Sequence, residues 1–340
     1  MGDTVSQRPS GYEIAAWVLS GTALFFVLRL HLLPALLAGL LVYELVHILA
    51  PLLHITRLTG KRDKVIVVAL LAVIVVMVLV ILIWWVIHYL RSEPGSISEL
   101  LKKMADIVGG LRDKLPAWLV ESLPGDDEGF KDSTVGWLHQ HAAEVQVAGK
   151  EAGRIIAHIL IGMVIGALVS LREAAPGREY RPLAGALAER VARLSQAFRS
   201  VVFAQVRIAA MNTFFAWVYL EVVLRLLGIH LPLTKTMVAI TFVTSLIPVV
   251  GNLISNTIIT IVSLSQSLSV ALGSLVFLIV VHKLEYFLNA RIIGSQIRAH
   301  TWELLVAMLV MEAAFGIKGI IAAPIYYAYL KNELSDRELV

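Results

Sequence analysis

Val65 to Ile87 is a run of 23 residues with no charge and no proline. At about 1.5 Å rise per residue, a helix of that length crosses the ~30 Å hydrocarbon core of a bilayer. Hydrocarbon offers no partner to a backbone N–H or C=O, and a helix satisfies both internally. This one run therefore makes the chain a membrane protein. The composition agrees: 58% of the 340 residues are hydrophobic and 16% charged, with a mean hydropathy of +0.79, whereas a soluble domain carries about 25% charged residues. The predicted fold class is all-α, a polytopic membrane protein.

Further spans are predicted over residues 14–33, 35–53, 65–90, 151–171, 200–228 and 268–290. The first ten residues are polar with one base, and the apolar run from Ile14 is too long for a cleaved leader, so it is expected to be a retained span. Pro34 separates the first two spans by a tight turn. The loop from His54 to Lys64 holds Arg57, Lys61, Arg62 and Lys64 against Asp63, which assigns it to the cytoplasm. Residues 91–150 carry seven Lys/Arg and ten Asp/Glu and are broken at Pro94, Pro116 and Pro124. They read as an extracytoplasmic helical insertion, with Ile97, Leu100, Leu101, Met104, Ile107, Val108 and Leu111 on its apolar face. Residues 172–199, with six Arg against three Glu, return the chain to the cytoplasm, and Val191, Leu194, Ala197 and Phe198 predict an amphipathic helix along the membrane surface.

Two apolar stretches in the last third are interrupted centrally. Thr236 to Ser267 is broken at Ile247-Pro-Val-Val-Gly251, and Trp302 to Leu330 at Phe315-Gly-Ile-Lys-Gly319. Proline removes a backbone donor and clashes with the preceding turn, and glycine loosens the chain. Each flank of the first break is short for a span. Two helical hairpins dipping into the membrane from opposite faces account for this, and simple loops between short spans are the alternative. Paired interrupted segments in matching positions of two halves are the best sequence pointer to a transport site. The expected organisation is 1–90 N-terminal spans, 91–150 insertion, 151–199 span plus cytoplasmic amphipathic helix, 200–330 transport core and 331–340 cytoplasmic tail. Both termini are then cytoplasmic.

Candidate pathway residues follow from these breaks. Pro248, Gly251 and Asn252 belong to the first tip, and Gly316, Lys318 and Gly319 to the second. Gln205, Asn212 and Thr213 fall on the fifth span, and Ser245, Asn256 and Gln266 on the first hairpin. Glu312 is the acidic residue beside the second tip, with two readings: proton or cation coupling, or a salt bridge to Lys318. Ionisable groups within spans cost about 2.5–3.5 kcal/mol each on insertion scales, so Glu44 with His47, and Glu221 with Arg225, are candidate intramembrane pairs. A purely structural pairing is the alternative for both. There is no cysteine, and no nucleophile elbow, phosphate loop or paired-histidine zinc motif. His139 and His141 alone are a weak metal signal. The chain is therefore read as a non-enzyme without cofactor, metal or nucleic-acid partner, drawing on a proton or sodium gradient or on the solute's own gradient.

Several of these segments together resemble the AI-2E family of bacterial transporters. They are Gln205-Val-Arg-Ile-Ala-Ala-Met-Asn-Thr213, Leu227-Gly-Ile-His-Leu-Pro-Leu233, Leu246-Ile-Pro-Val-Val-Gly251, Asn289-Ala-Arg-Ile-Ile-Gly294 and Phe315-Gly-Ile-Lys-Gly-Ile-Ile-Ala-Ala-Pro-Ile325. The resemblance implies a bacterial inner-membrane protein that exports a small solute such as autoinducer-2, or exchanges cations for protons. This sequence departs from the family pattern at Val249, Val250 and Asn252, and at Arg298-Ala-His-Thr-Trp302. A secondary transporter working by alternating access is the leading expectation. A channel-like facilitator and a scaffold acting through the insertion are the other two. Homo-oligomerisation is expected from the apolar third span and the surface helix.

Overall fold

The computed structural model describes residues 10–52, 61–91, 97–110, 135–138, 140–141, 149–174, 180–248, 250–293 and 301–335. All regular structure among them is helical. The helices are α1 (Gly11–Arg29), α2 (Leu33–Leu52), α3 (Lys61–Arg91), α4 (Ile97–Gly109), α5 (Gly149–Ala174), α6 (Pro182–Trp217), α7 (Thr234–Ser245), α8 (Val250–Ser263), α9 (Leu268–Ile293), α10 (Thr301–Phe315) and α11 (Ile317–Ser335). A π-helical segment (Val218–Val223) and one further turn (Leu224–Leu226) continue α6. Among the described residues, five helices are long and apolar enough to cross a membrane: α1, α2, Val65–Tyr89 of α3, Ala152–Ala174 of α5, and Pro182–Leu226. The all-α polytopic expectation holds.

Local chemistry sets the boundaries. Ser10 caps α1 and Glu13 returns the bond to the Ser10 N–H, a reciprocal capping box. His31, at φ 64°, turns the chain from α1 into α2. Between Ala186 and Leu227 there is no glycine or proline, so nothing stops α6. The amphipathic segment expected over 172–199 is helical from Pro182 on and continuous with the helix that carries the fifth span.

The chain divides into two compact units. The first comprises Met1–Ile81, Arg154–Val202 and Ile297–Val340, and the second Leu82–Gly153 and Phe203–Gln296. In the first unit α2 and α5 meet through small residues four apart. A β-carbon on Gly162 would lie 2.7 Å from the Ala35 carbonyl carbon, and one on Gly166 would lie 2.9 Å from that of Gly39. This is the small-residue packing by which membrane helices approach closely without a hydrophobic driving force. Val42, Val46, Val68, Leu71, Val75 and Met163 fill in around it.

In the second unit α4 packs against α8. Leu100 and Met104 of α4 share one core with Leu138, Leu220, Met237, Ile240, Ile259 and Val262. The apolar face read from 91–150 thus belongs to the core of the second unit. Leu111 and His139 lie outside the described residues, as do the side chains of Asn289 to Ile293.

Both interrupted stretches form packed helix pairs, α7 with α8 and α10 with α11. At 12 and 14 residues, α7 and α8 are each about 18–21 Å long, well short of the ~30 Å core. Each pair closes on a glycine of its return helix. A β-carbon on Gly251 would sit 2.5 Å from the Thr244 carbonyl carbon, and one on Gly319 would overlap the Met311 carbonyl. Gly316 makes the second turn at φ +65°, a conformation that costs glycine little.

Candidate functional site

Pro248 cannot continue α7, and the first break leaves the final carbonyls of that helix without the usual helical donors. Ile247 N–H donates to the Thr244 carbonyl at 2.8 Å. The Ser245 carbonyl accepts instead from Gln205 Nε2, reaching across from α6 at 2.6 Å. One turn further along α8, Asn252 Oδ1 accepts from Asn212 Nδ2 of α6 at 3.0 Å and from Ser245 Oγ at 3.2 Å. The structure therefore gathers Gln205, Asn212, Ser245 and Asn252, predicted separately on two elements, into one network around the first break.

A cavity of about 20 Å³ adjoins this network, with Asn212, Thr241, Asn252, Ser255, Asn256 and His282 among its lining residues. That is room for about one water-sized species. Asn212 is 7% exposed, and among the described residues its Oδ1 has no hydrogen-bond partner. A buried amide oxygen left open costs about 1–3 kcal/mol. The other polar groups are partly committed. Thr241 Oγ1 donates to the Met237 carbonyl at 2.8 Å, and Ser255 Oγ to the Asn252 carbonyl at 3.2 Å. The Asn256 side chain has no protein partner among the described residues. Neutral amides and hydroxyls in this arrangement can replace the hydration of a small polar group or ion. Thr241, Ser255 and His282 were not singled out in the sequence. Thr241 sits four residues before Ser245 and Ser255 three after Asn252, so helical spacing from the predicted residues was the available signal.

Other candidates lie elsewhere. Pro248 is at the turn, and Gly251 serves helix approach. Gln266 donates to the His230 carbonyl at 2.9 Å, beyond the far end of α8. Thr213 Oγ1 donates to the Ala209 carbonyl at 2.7 Å and lines a separate apolar groove of the second unit. Glu312, Gly316, Lys318 and Gly319 belong to the first unit. Glu312 is exposed, and no ion pair joins it to Lys318. Glu221 and Arg225 do pair, at 2.7 Å, and Thr234 Oγ1 donates to Glu221 at 2.6 Å.

Glu44 and His47 do not pair with each other. Buried Glu44 accepts from Ser195 Oγ and has Arg199 at 3.9 Å. His47 Nε2 lies 3.4 Å from Glu173 on α5, whose carboxylate also accepts from Tyr43 at 2.7 Å. Glu44 and His47 are three positions apart on α2, but each turns to a different neighbouring helix.

The most deeply buried charge among the described residues was not visible in the sequence. Arg190, 1% exposed, lies 3.1 Å from Glu333 on α11 and over the Trp17 ring of α1. Trp17 Nε1 donates to the same carboxylate at 2.6 Å, and Arg193 NH1 lies 3.3 Å from it. A second link joins the arms of the second hairpin, where Glu303 accepts from Tyr327 at 2.5 Å and Lys331 at 2.6 Å.

Compared with known families, residues 178–336 match the model described as AI-2E family transporter. No curated protein and no solved structure matches the chain. The matched region contains α6 to α11, and with them both hairpins and every residue of the polar network.

Proposed function

We propose that this chain, whose residues 178–336 match the AI-2E family transporter model, is a secondary transporter, exporting a small polar solute by alternating access. The observation that carries this reading is the network at the first break, where Gln205, Asn212, Ser245 and Asn252 join beside a small cavity lined by Asn212, Asn252, Ser255 and Asn256. Irregular backbone at membrane depth is tolerated where protein buries it or water lines it, and transporters place their sites at such interruptions. On this reading α7 and α8 form a re-entrant hairpin whose tip presents Asn252 to the solute. The cavity is the closed form of the site, since one water-sized volume holds no organic solute. Opening requires α7 and α8 to part at Gly251, which the small glycine contact allows.

A cation/proton antiporter of the same family is the second reading. Glu312 beside the second tip, exposed and without a side-chain partner among the described residues, favours it. The protein acts in the bacterial inner membrane with both termini cytoplasmic, and a homo-oligomer is its expected form.

Flux in sealed vesicles containing purified protein tests both readings. A panel of radiolabelled solutes is followed under an imposed proton or sodium gradient, with internal pH recorded. Saturable, gradient-dependent solute flux that Asn252→Ala abolishes supports the proposal. Ion exchange without solute movement, lost in Glu312→Gln, replaces it with the antiporter. Non-saturating flux indifferent to the gradient makes the protein a channel.

A further inference from the structure

The second unit carries a larger opening that the polar site does not use. It is an apolar groove of about 560 Å³ between the end of α3, the end of α6 with its π-helical continuation, and α7. Its floor follows helical spacing: Thr213, Trp217 and Glu221 recur every fourth residue on one wall. The opposite wall, on α7, runs from Lys235 to Val243. The two walls are antiparallel, because Thr234 bonds Glu221 at 2.6 Å while Gln205 bonds the Ser245 carbonyl at 2.6 Å. One end of the groove therefore holds Glu221 and Lys235, and the other Thr213 with Phe242 and Val243. Eight residues of helix separate the ends, about 12 Å. Between α6 and α7 the one hydroxyl along that length, on Thr213, is committed to its own helix, and Tyr89 of α3 carries the other hydroxyl of the lining.

The charges at the polar end do not cancel. Glu221 is held by Arg225 and by Thr234. The Lys235 ammonium is exposed, and among the described residues it has neither a hydrogen bond nor an ion pair. Trp85 and Trp217 line the groove and are 59% and 46% exposed, and such amphipathic rings favour the headgroup level of a bilayer. An apolar slot with one uncompensated cation at its mouth is complementary to an amphiphilic anion. The species at hand along a lipid-facing wall is membrane lipid.

We propose that this groove is a binding site for one anionic phospholipid, with an acyl chain against Trp217 and Phe242 and the phosphate on Lys235. The proposal stands apart from the transport reading, since none of these side chains belongs to the polar network. Purified full-length protein in detergent is titrated with phosphatidylglycerol and with phosphatidylcholine of identical chains, and bound lipid is counted by intact-complex mass spectrometry. Quenching of tryptophan fluorescence by the same lipids with brominated chains gives a second reading. Wild type should retain phosphatidylglycerol about fivefold better, the scale of one ion pair at the membrane surface. Lys235→Glu and Lys235→Ala should erase that preference. A glutamate in the first turn of α7 suits the helix dipole, so the first variant should fold. Ala239→Phe, which fills the groove, should lower retention and quenching for both lipids.

Equal retention of the two lipids by wild type, or a preference unchanged in both Lys235 variants, would overturn the proposal. So would transport of a soluble alkyl phosphate lost in Ala239→Phe, because the groove would then be a solute path.

Discussion

Gly251→Ala places one methyl group at the closest approach of the first hairpin. Its β-carbon would lie 2.5 Å from the Thr244 carbonyl carbon and 2.9 Å from Ser245 Cα. Both are backbone atoms, so no side chain can rotate away. Restoring the ordinary 3.4 Å contact to that carbon opens the pair by at least about 0.9 Å. The Ser245–Asn252 bond of 3.2 Å spans the same joint, and stretching it by that much takes it out of hydrogen-bond range. The expected cost is about 1–3 kcal/mol for the overpacking, with about 1 kcal/mol more for the bond lost. Thermal unfolding of purified protein should shift down by several degrees, and vesicle flux should fall at least tenfold. The decisive comparison is Gly251→Ala against Gly273→Ala, since a β-carbon on Gly273 meets nothing within 4 Å. If both variants unfold and transport like wild type, the hairpin contact does not hold the site together and the reasoning fails.

Asn252→Ala leaves the buried Asn212 amide without its acceptor and should destabilise by about 1–3 kcal/mol, measured as a lowered denaturation midpoint alongside the flux loss. Gly166→Val drives a branched side chain into the Gly39 backbone, and α2 and α5 should separate; loss of monodisperse protein on size exclusion reads this out, whereas Gly153→Ala, in open space, should behave as wild type. Glu333→Gln leaves the buried Arg190 with only the half-exposed Glu189, at 3.2 Å, as its carboxylate partner and should destabilise by about 1–3 kcal/mol, while Glu312→Gln removes no contact and should leave the melting temperature unchanged.

The sequence by itself determined the membrane class, because one uncharged 23-residue run admits no other burial. It determined where helices cannot continue, because Pro248 lacks a donor and Gly316 takes a left-handed turn at little cost. It also supplied the polar residues of the site, since Asn212 and Asn252 stand out in apolar surroundings. The tertiary structure decided which of them meet. Asn212 and Asn252 are 40 positions apart, a pairing set by how α6 packs along the hairpin and not by any local pattern.

The same reason hid the Arg190–Glu333 pair, whose members lie on α6 and α11 and look like solvated charges in sequence. It also parted Glu44 from His47. Neighbours on one helix share a face only approximately, and the helices packed against α2 offer each a different partner. Continuity of α6 was legible from the absence of glycine and proline after Ala186, but the change in polarity near residue 200 drew the boundary there. Helical propensity runs through such a change, because what alters is the surroundings of the helix and not its backbone. The glycines of α2 and α5 carry no signal until the two helices are set side by side. Close approach is a property of the pair, and only packing reveals it.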